Sequence, residues 1–498
     1  MAIATKPLIL SVPQMRVLRC RKPLILTMSG QRGGKSFGIG VRSFIMAKSF
    51  PQLTGMIAAN TYKQLEQSTL KECRDIWGRY FNANEYDPRA NPNGCYVMSR
   101  QPPLHFKKFH LFDNYHGIIS FINGAVIYTA SLENYLAHDG KTLGWAELDE
   151  TKDTREDAVR NVILARLSQK GLWVDDNDEL FYDHSNAYAQ PINPCVINTS
   201  PSSGVVDWLV ELFELRKYEE EINATIFNDG EYFFREFGVK AVCIYSTYFN
   251  QHNLTPNYIA NRKASLTKEG IDKFIYGYPF AKTGDEYYTG FDRQIHIAKV
   301  DRINGLADHV SFDFNLVPYM TMICVQIATT DSEVQVRVYK EYCYKPPRNT
   351  TEAVCAAFAG DYGKEVTSLY YYGDSMGTRG VEGFGDKFTR FDAVRQWLYR
   401  YTGASSDRTT RRNVSVNKRR DFVNRVLEGK AMYGGRHIRL MIDVNCAETI
   451  KEFQYLKIGI NGKLKEKAND NGRVYEKYGH ISDALEYLLA EVFQGLIV

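Results

Sequence analysis

The stretch "PLILTMSGQRGGKS" (Pro23–Ser36) decides how the first part of the chain folds. "PLILTM" is an apolar run of strand length, followed at once by glycines, a lysine and a hydroxyl. "KSFGIGVRSFIMAKSF" (Lys35–Phe50) then runs long enough for a helix. A Gly-rich turn between a buried strand and a helix N-terminus suits an anion. Gly30, Gly33 and Gly34 let backbone N–H groups approach a ligand with no side chain in the way, and the helix end favours negative charge. The pattern is that of a phosphate loop, G-x-x-x-x-G-K-[ST], with Ser29 where the first glycine belongs. In this reading residues Ser29, Gly30, Gln31, Arg32, Gly33, Gly34, Lys35 and Ser36 bind ATP. Lys35 neutralises the β- and γ-phosphates, and the Ser36 hydroxyl ligates Mg²⁺. The competing reading is a Gly-rich turn carrying a surface lysine.

Working outward, "TGMIAA" (Thr54–Ala59), "GAVIYTAS" (Gly124–Ser131), "LGWAELDE" (Leu143–Glu150) and "PCVINTS" (Pro194–Ser200) read as further strands. "TYKQLEQSTLKECRDIWGRYF" (Thr61–Phe81) and "EDAVRNVILARL" (Glu156–Leu167) read as helices between them, which predicts a largely parallel sheet. The strand "LGWAELDE" ends in an acidic pair. Asp149 would hold Mg²⁺ and Glu150 would polarise the attacking water. A solvated acidic helix start explains the pair alone equally well; the two motifs in chain order favour ATP hydrolysis. "VINTSPSSG" (Val196–Gly204) ends a third strand in hydroxyls, and Thr199 and Ser200 are candidates for sensing the γ-phosphate. A Ser/Pro turn is the alternative.

From about Pro201 to Gln294 the pattern changes to helical stretches, including "AVCIYSTYFNQHNLTPNYIANRKASL", and ends in a Gly- and Tyr-rich connector. A second β-rich block follows. "HVSFDFNLVPYMTMICVQIA" reads as two strands joined by a turn at Asn315–Pro318, with "VQVRVYKEYCY" and "VTSLYYYGDS" as two more, and the chain closes on the helix "HISDALEYLLAEVFQGL". Asp313 lies inside an apolar strand, where a carboxylate is costly unless it is paired or metal-bound. Asp374 ends another strand, and Asp483 sits in the last helix. Three converging carboxylates would hold two divalent metals, Mg²⁺ or Mn²⁺, for in-line phosphodiester cleavage, with Glu341 as a fourth candidate ligand. A turn aspartate at 374 and a helix-start carboxylate at 483 are the bland alternatives. "RTTRRNVSVNKRR" (Arg408–Arg420) lies between them, and its Arg411, Arg412, Lys418, Arg419 and Arg420 suit a DNA backbone or simply a solvated surface.

Composition bounds these readings. The chain has 498 residues, enough for two to four domains at roughly 100–200 residues each. It is 44% hydrophobic with a net charge of +4, a mildly basic balance that permits nucleic-acid binding without arguing for it. Nine scattered cysteines form no C-x-x-C pair, which argues against zinc and for a reducing compartment. No apolar run approaches the ~20 residues of a membrane span.

With these motifs in order, the sequence resembles the large terminase subunit of tailed bacteriophages over about Pro13 to Val492. "SGQRGGKS" matches the family's phosphate loop, with Arg32 at its usual arginine. "ELDET" matches the acidic strand end and "VINTSP" the coupling motif. "STYFNQHNLTPNYI" resembles the segment after the ATPase core, with Asn250 and Gln251 where an acidic residue is usual. "FDFN", "YYGDS" and "HISDALEY" resemble the three nuclease motifs.

The resemblance implies an α/β chain. An N-terminal P-loop ATPase of the additional-strand, conserved-Glu type, mostly parallel with flanking helices, would span residues 1–204. A lid or linker would span 205–295, and a ribonuclease-H-like mixed α/β nuclease 296–498. It implies a motor that threads double-stranded DNA into a procapsid, with Glu150 and Arg32 serving hydrolysis, Gln14 reading adenine, and Asp313, Asp374 and Asp483 serving a metal-dependent endonuclease that cuts concatemeric genome. The implied partners are a portal protein, a small terminase subunit and further copies in a ring, commonly pentameric. The implied place is the host cytoplasm, with no membrane. A P-loop helicase or translocase with a non-cleaving DNA-binding domain, and a non-enzymatic DNA-binding or capsid-associated protein, are the alternatives.

Overall fold

The computed structural model describes residues 7–174, 180–181, 190–201, 208–282, 284–314, 318–378, 389–402, 405–459, 462–464, 467–470, 473–476 and 478–497. Ser202–Gly204 of the expected coupling segment and Asn315–Val317 of the expected turn lie outside them. The chain divides into two compact units, Met1–Thr283 and Gly284–Val498. No helix among the described residues is long and apolar enough to cross a membrane.

The first unit opens with α1 (Val12–Arg19), β1 (Leu24–Ser29) and α2 (Lys35–Ser49). There follow β2 (Thr54–Ala59) and a helical segment whose last part is α3 (Leu70–Phe81). The segment's turn at Leu65–Thr69 is wound as a π-helix rather than an α-helix. Then come β3 (Tyr96–Met98), β4 (Ile118–Phe121), β5 (Val126–Ser131), β6 (Trp145–Asp149), β7 (Cys195–Thr199), β8 (Tyr232–Phe237) and β9 (Lys240–Tyr245). Among the described residues these strands form one nine-stranded sheet in the order β8-β9-β1-β7-β6-β2-β5-β4-β3. Its six inner strands, β9 to β5 in that order, run parallel. Antiparallel β8 closes one edge and β4 and β3 the other.

The inner strands β1, β2, β6 and β7 are buried along their whole length, which is why they read as continuous apolar runs rather than alternating ones. One face packs Leu26, Met28, Leu148, Ile197 and Phe213 together. The other packs Ile57, Trp77, Phe44 and Phe121 beneath α2 and α3. The Trp77 indole donates to the Gly40 carbonyl at 2.9 Å and ties α3 to α2.

One segment departs from the sequence reading. Ala241–Tyr245, read as helical, is a fully buried parallel strand beside β1. A run of Ala, Val, Cys, Ile and Tyr has no period of its own, and only its place in the sheet distinguishes strand from helix. β8 and β9 therefore belong to the first sheet although they fall inside the expected lid span of 205–295.

The second unit holds β10 (Ile297–Ala298), β11 (Asp308–Asp313), β12 (Met320–Thr329), β13 (Glu333–Tyr344), α4 (Thr351–Tyr362), β14 (Leu369–Gly373), α5 (Arg390–Thr402) and β15 (Ser406–Asp407). It continues through α6 (Val416–Leu427), β16 (Met432–Tyr433), β17 (Arg436–Asp443), α7 (Ala447–Tyr455) and α8 (His480–Val492). The strands make a mixed sheet ordered β10-β17-β13-β12-β11-β14-β15, with β16 paired to β17. The meander β11–β12–β13 is antiparallel, and β14 joins β11 in parallel. Val310, Phe312 and Phe314 face a core shared with α4 and α5 through Phe358, Val394 and Leu398. Ser311 and Asp313 point to the opposite face by the strand's two-residue alternation, and α8 packs against β11, β12 and β14.

His309 in β11 sits against the Tyr372 hydroxyl at 2.8 Å, and burial pushes its pKa from the ordinary histidine value of 6.5 down to about 4. The unfolded chain therefore takes up a proton below pH 6.5 that the folded chain resists, and acidification from there towards pH 4 weakens the fold. His309→Gln should remove this part of the loss. Urea midpoints at pH 7 and pH 5 check it: the variant's midpoint should fall less than that of the wild type, and an equal fall contradicts the assignment.

Candidate functional site

The first site lies at the carboxyl ends of the parallel strands, where the chain leaves β1 for α2. Arg32 and Gly34 both have left-handed backbones, φ +58° and +88°, and Gly34 caps α2. A Cβ at Gly30 would collide with the Ile275 carbonyl and the Thr247 hydroxyl, so that position admits only glycine. The Gly30, Gln31 and Gly33 amides donate to Tyr245 O, Phe274 O and Gly30 O. The anion-favouring end is therefore Gly34 with the first turn of α2, whose amides have no partner inside a helix.

Lys35 is only 6% exposed. Its Nζ donates to Ser29 Oγ at 3.3 Å and Ser200 Oγ at 3.1 Å, and lies 3.8 Å from Glu150 Oε1. The Ser29 hydroxyl, unexplained by the loop pattern, thus gives the lysine an acceptor that glycine would not. Ser200 meets the lysine, while the Thr199 hydroxyl turns back to the Ser200 carbonyl. Ser36 Oγ donates to Asp149 Oδ2 at 3.3 Å. Thr69 donates to the same oxygen at 2.7 Å. Sequence reading missed Thr69, which carries no signal in the sequence and is marked only by its place in the π-helical turn. Such turns gather at functional sites. Burial, then the Glu150 charge, raise the Asp149 pKa to about 6. Glu150 also has a left-handed backbone, φ +48°, an uncommon conformation for a residue with a side chain.

Lys35, Ser36, Glu150 and Ser200 border a cleft of about 560 Å³ that Arg32, Glu72, Arg79, Tyr80, Asn250 and Tyr258 also line. Asn250 donates to the Arg32 carbonyl at 2.7 Å, a loop-holding role that needs no acid at that position. Gln14 is buried. Its amide nitrogen donates to Gly34 O and ties α1 to the loop, while its oxygen accepts from Ser11 N and caps α1 itself, both at 2.8 Å. The oxygens of Ser36, on the cleft wall, and of the buried Asp149 behind it are of the type that suits a hard cation such as Mg²⁺.

The second site is in the other unit. Register pairs Phe312 with Gly373, which sets Asp313 and Asp374 at the same end of neighbouring parallel strands. Asp483 lies in the first turn of α8. Burial and the charges of Asp483, Asp313 and Asp374 together raise the pKa of Tyr487, one turn further along α8, so all three carboxylates lie within electrostatic reach of one hydroxyl.

Each carboxylate has a protein partner. Asp313 Oδ2 lies 3.1 Å from His480 Nδ1; burial opposes protonation of that imidazole, but the bond to Asp313, the Asp313 and Glu452 charges and the Glu476 carbonyl together raise its pKa. Asp374 accepts from Asn413 at 2.6 Å. Asp483 accepts from Lys463 at 2.8 Å and lies 3.7 Å from Arg419. Glu486, a buried acid that sequence reading did not single out, binds the same two cations at 3.0 and 3.1 Å. Carboxylate oxygens are the right donors for Mg²⁺ or Mn²⁺. As they lie, however, no three His, Cys, Asp or Glu side chains among the described residues are gathered as a metal-binding group.

Two expectations change here. Arg419 is buried in this ion-pair network and presents no charge to a DNA backbone, whereas Arg411, Arg412 and Lys418 are exposed and Arg420 is half-buried against the Tyr287 carbonyl. Glu341 does not face the three aspartates as a ligand. Its carboxylate accepts from Glu448 N, Thr449 N and Thr449 Oγ1 at 2.7–2.8 Å, so it serves the N-terminus of α7, and burial raises its pKa to about 7. Glu341→Ala should therefore destabilise the protein by about 1–3 kcal/mol in denaturant unfolding, with Mn²⁺ binding in a calorimeter unchanged. Lost metal binding at unchanged stability would restore the ligand role.

No family model and no curated protein sequence matches this chain. Among solved structures it is similar to the large terminase of a thermophilic bacteriophage, at 15% identity over 97% of this chain and 99% of that one, TM-score 0.37. It is similar to the bacteriophage HK97 large terminase at 10% identity over 98% and 96%, TM-score 0.41. It is also similar to the large terminase ATPase domain of Thermus phage P74-26 at 14% identity over 55% and 94%, TM-score 0.33. The first of these, the thermophilic-phage protein, has been solved with ADP and with ATP-gamma-S.

Proposed function

We propose that this chain is a phage DNA-packaging motor subunit of the large-terminase kind, which hydrolyses ATP to drive double-stranded DNA into a procapsid and cuts the concatemer with a second, metal-dependent centre. The observation that carries the reading is the buried Lys35, held between Ser29, Ser200 and Glu150 beside the Ser36–Asp149 pair. Three strand ends and a helix N-terminus thus meet around one cation, as phosphate binding requires.

In this account Lys35, the Gly34 backbone and the first turn of α2 hold the β- and γ-phosphates. Ser36 and Asp149 would hold Mg²⁺, which would supply charge neutralisation at the phosphate oxygens. Glu150 orients the attacking water and accepts its proton, and Arg32, on the cleft rim, stabilises the γ-phosphate in cis unless a neighbouring copy supplies that charge. Loss of the γ-phosphate leaves Lys35 to Ser200 and Glu150, and β7 carries that change away from the site.

In the second unit Asp313, Asp374 and Asp483 are the residues that would hold two divalent cations, and Arg411, Arg412 and Lys418 would lie along the DNA backbone. Metal entry there requires Lys463 to give up Asp483. The portal protein, a small terminase subunit and further copies in a ring are the partners this function needs, in the host cytoplasm. The hold of Lys463 and Arg419 on Asp483 favours a second reading, a DNA translocase whose C-terminal unit binds without cutting.

DNA-stimulated ATP turnover and plasmid cleavage separate the two. Lys35→Ala should abolish both nucleotide binding and turnover. Glu150→Gln should keep binding and lose about 10²-fold or more in kcat. With Mn²⁺ or Mg²⁺ the wild type should nick and linearise plasmid, while Asp374→Ala leaves it intact with ATPase retained. Plasmid intact with the wild type decides for the non-cleaving translocase. Full turnover in Lys35→Ala sinks the ATP site itself.

A further inference from the structure

Beneath the nucleotide groups lies a second polar layer that the proposed chemistry does not use. Arg42 follows Lys35 by seven residues on α2, two helical turns, and so lies on the same buried face. Glu147 precedes Asp149 by two residues on β6, and Asn198 precedes Ser200 by two on the strand line of β7. Alternation puts each on the same side of the sheet as its partner above. The three meet. Arg42 Nε and Nη2 donate to the two Glu147 oxygens, each at 2.7 Å, and Nη2 also donates to Asn198 Oδ1 at 3.0 Å. Asn198 Nδ2 donates to Glu147 Oε2 at 3.0 Å and to the Leu148 carbonyl at 3.2 Å. All three side chains are buried.

We propose that Arg42, Glu147 and Asn198 are positioning residues of the nucleotide site. They clamp β6 and β7 to α2, so that Ser200 and Asp149 keep a fixed place relative to Lys35 and Ser36. The inference rests on the ATPase reading and deepens it. Stability alone does not call for such a cluster. Every other residue of β6 before Asp149 is apolar, and exchange of a buried ion pair for apolar groups of similar size is often neutral or stabilising. What apolar residues would not supply is direction. Asn198 bridges the two strands and the helix with oriented bonds, so a shift of Ser200 along β7 has to break or re-aim them. The clamp thus couples the residue that meets Lys35 to the strand that carries Asp149 and Glu150.

The test is the double variant Arg42→Met/Glu147→Leu, which removes both charges together, with Asn198→Ala as a second variant that leaves the ion pair in place. ATP turnover with DNA, equilibrium affinity for a fluorescent ATP analogue and thermal unfolding are measured on each full-length chain. The proposal expects melting temperatures no lower than the wild type for the double variant and an analogue affinity within about threefold. It expects kcat lower by about tenfold or more at unchanged KM. Arg42→Lys should not rescue, because one ammonium cannot make the bidentate contact and reach Asn198 as well. If the double variant does not fold, Asn198→Ala decides by the same criterion. Folded variants with kcat within about twofold of the wild type overturn the clamp, as does a loss of affinity equal to the loss of turnover. A wild type that neither binds nor hydrolyses ATP overturns the ATPase reading and this inference with it, whereas an active wild type with full-speed variants overturns the clamp alone.

Discussion

A lysine ammonium with almost no access to water depends on the partners the fold brings to it, two hydroxyls and the Glu150 carboxylate 3.8 Å away. Everything around the first site follows from keeping it there. The parallel strands end together so that Ser29, Glu150 and Ser200 reach it from β1, β6 and β7. Arg32, Gly34 and Glu150 take left-handed backbones so that the loop can wrap it and the acid can turn towards it. In the proposed function an anion that enters the cleft would add its own charge to this compensation.

The second unit solves the opposite problem. Asp483 and Glu486 are buried acids, and Lys463 and Arg419 meet them at hydrogen-bonding or near hydrogen-bonding distance. Asp313 and Asp374 approach from neighbouring strand ends with His480 and Asn413 as partners. Compensation there is already supplied by the chain, so under the proposed function a divalent cation would compete with an internal one, and the second centre would have to exchange a partner that the first does not.

The elements that the proposed chemistry uses were legible because such chemistry would constrain short stretches. The strand–loop–helix at Pro23–Phe50, the acidic end of β6, the hydroxyl end of β7 and the aspartates of β11 and α8 could each be read locally. What could not be read depends on placement. Ala241–Tyr245 is a strand only because β1 lies beside it. Arg419 looks like its neighbours in a basic run, and only the fold shows that it turns inward to Glu486. Glu341 looks like a strand carboxylate near two others until α7 arrives to occupy it. Arg42, Glu147 and Asn198 are scattered over more than 150 residues of sequence, and nothing but the sheet register brings them together.

The central claim is that the Lys35 cluster receives the phosphates of ATP with a divalent cation between Ser36 and Asp149. Crystals grown with ATP-gamma-S and Mn²⁺, measured for manganese anomalous scattering, test it most directly. The account predicts one anomalous peak within coordination distance of Ser36 Oγ and on the Asp149 side of it, with the terminal phosphate at Lys35 Nζ. Nucleotide bound elsewhere on the chain, or in this cleft with its phosphates away from Lys35, would contradict it.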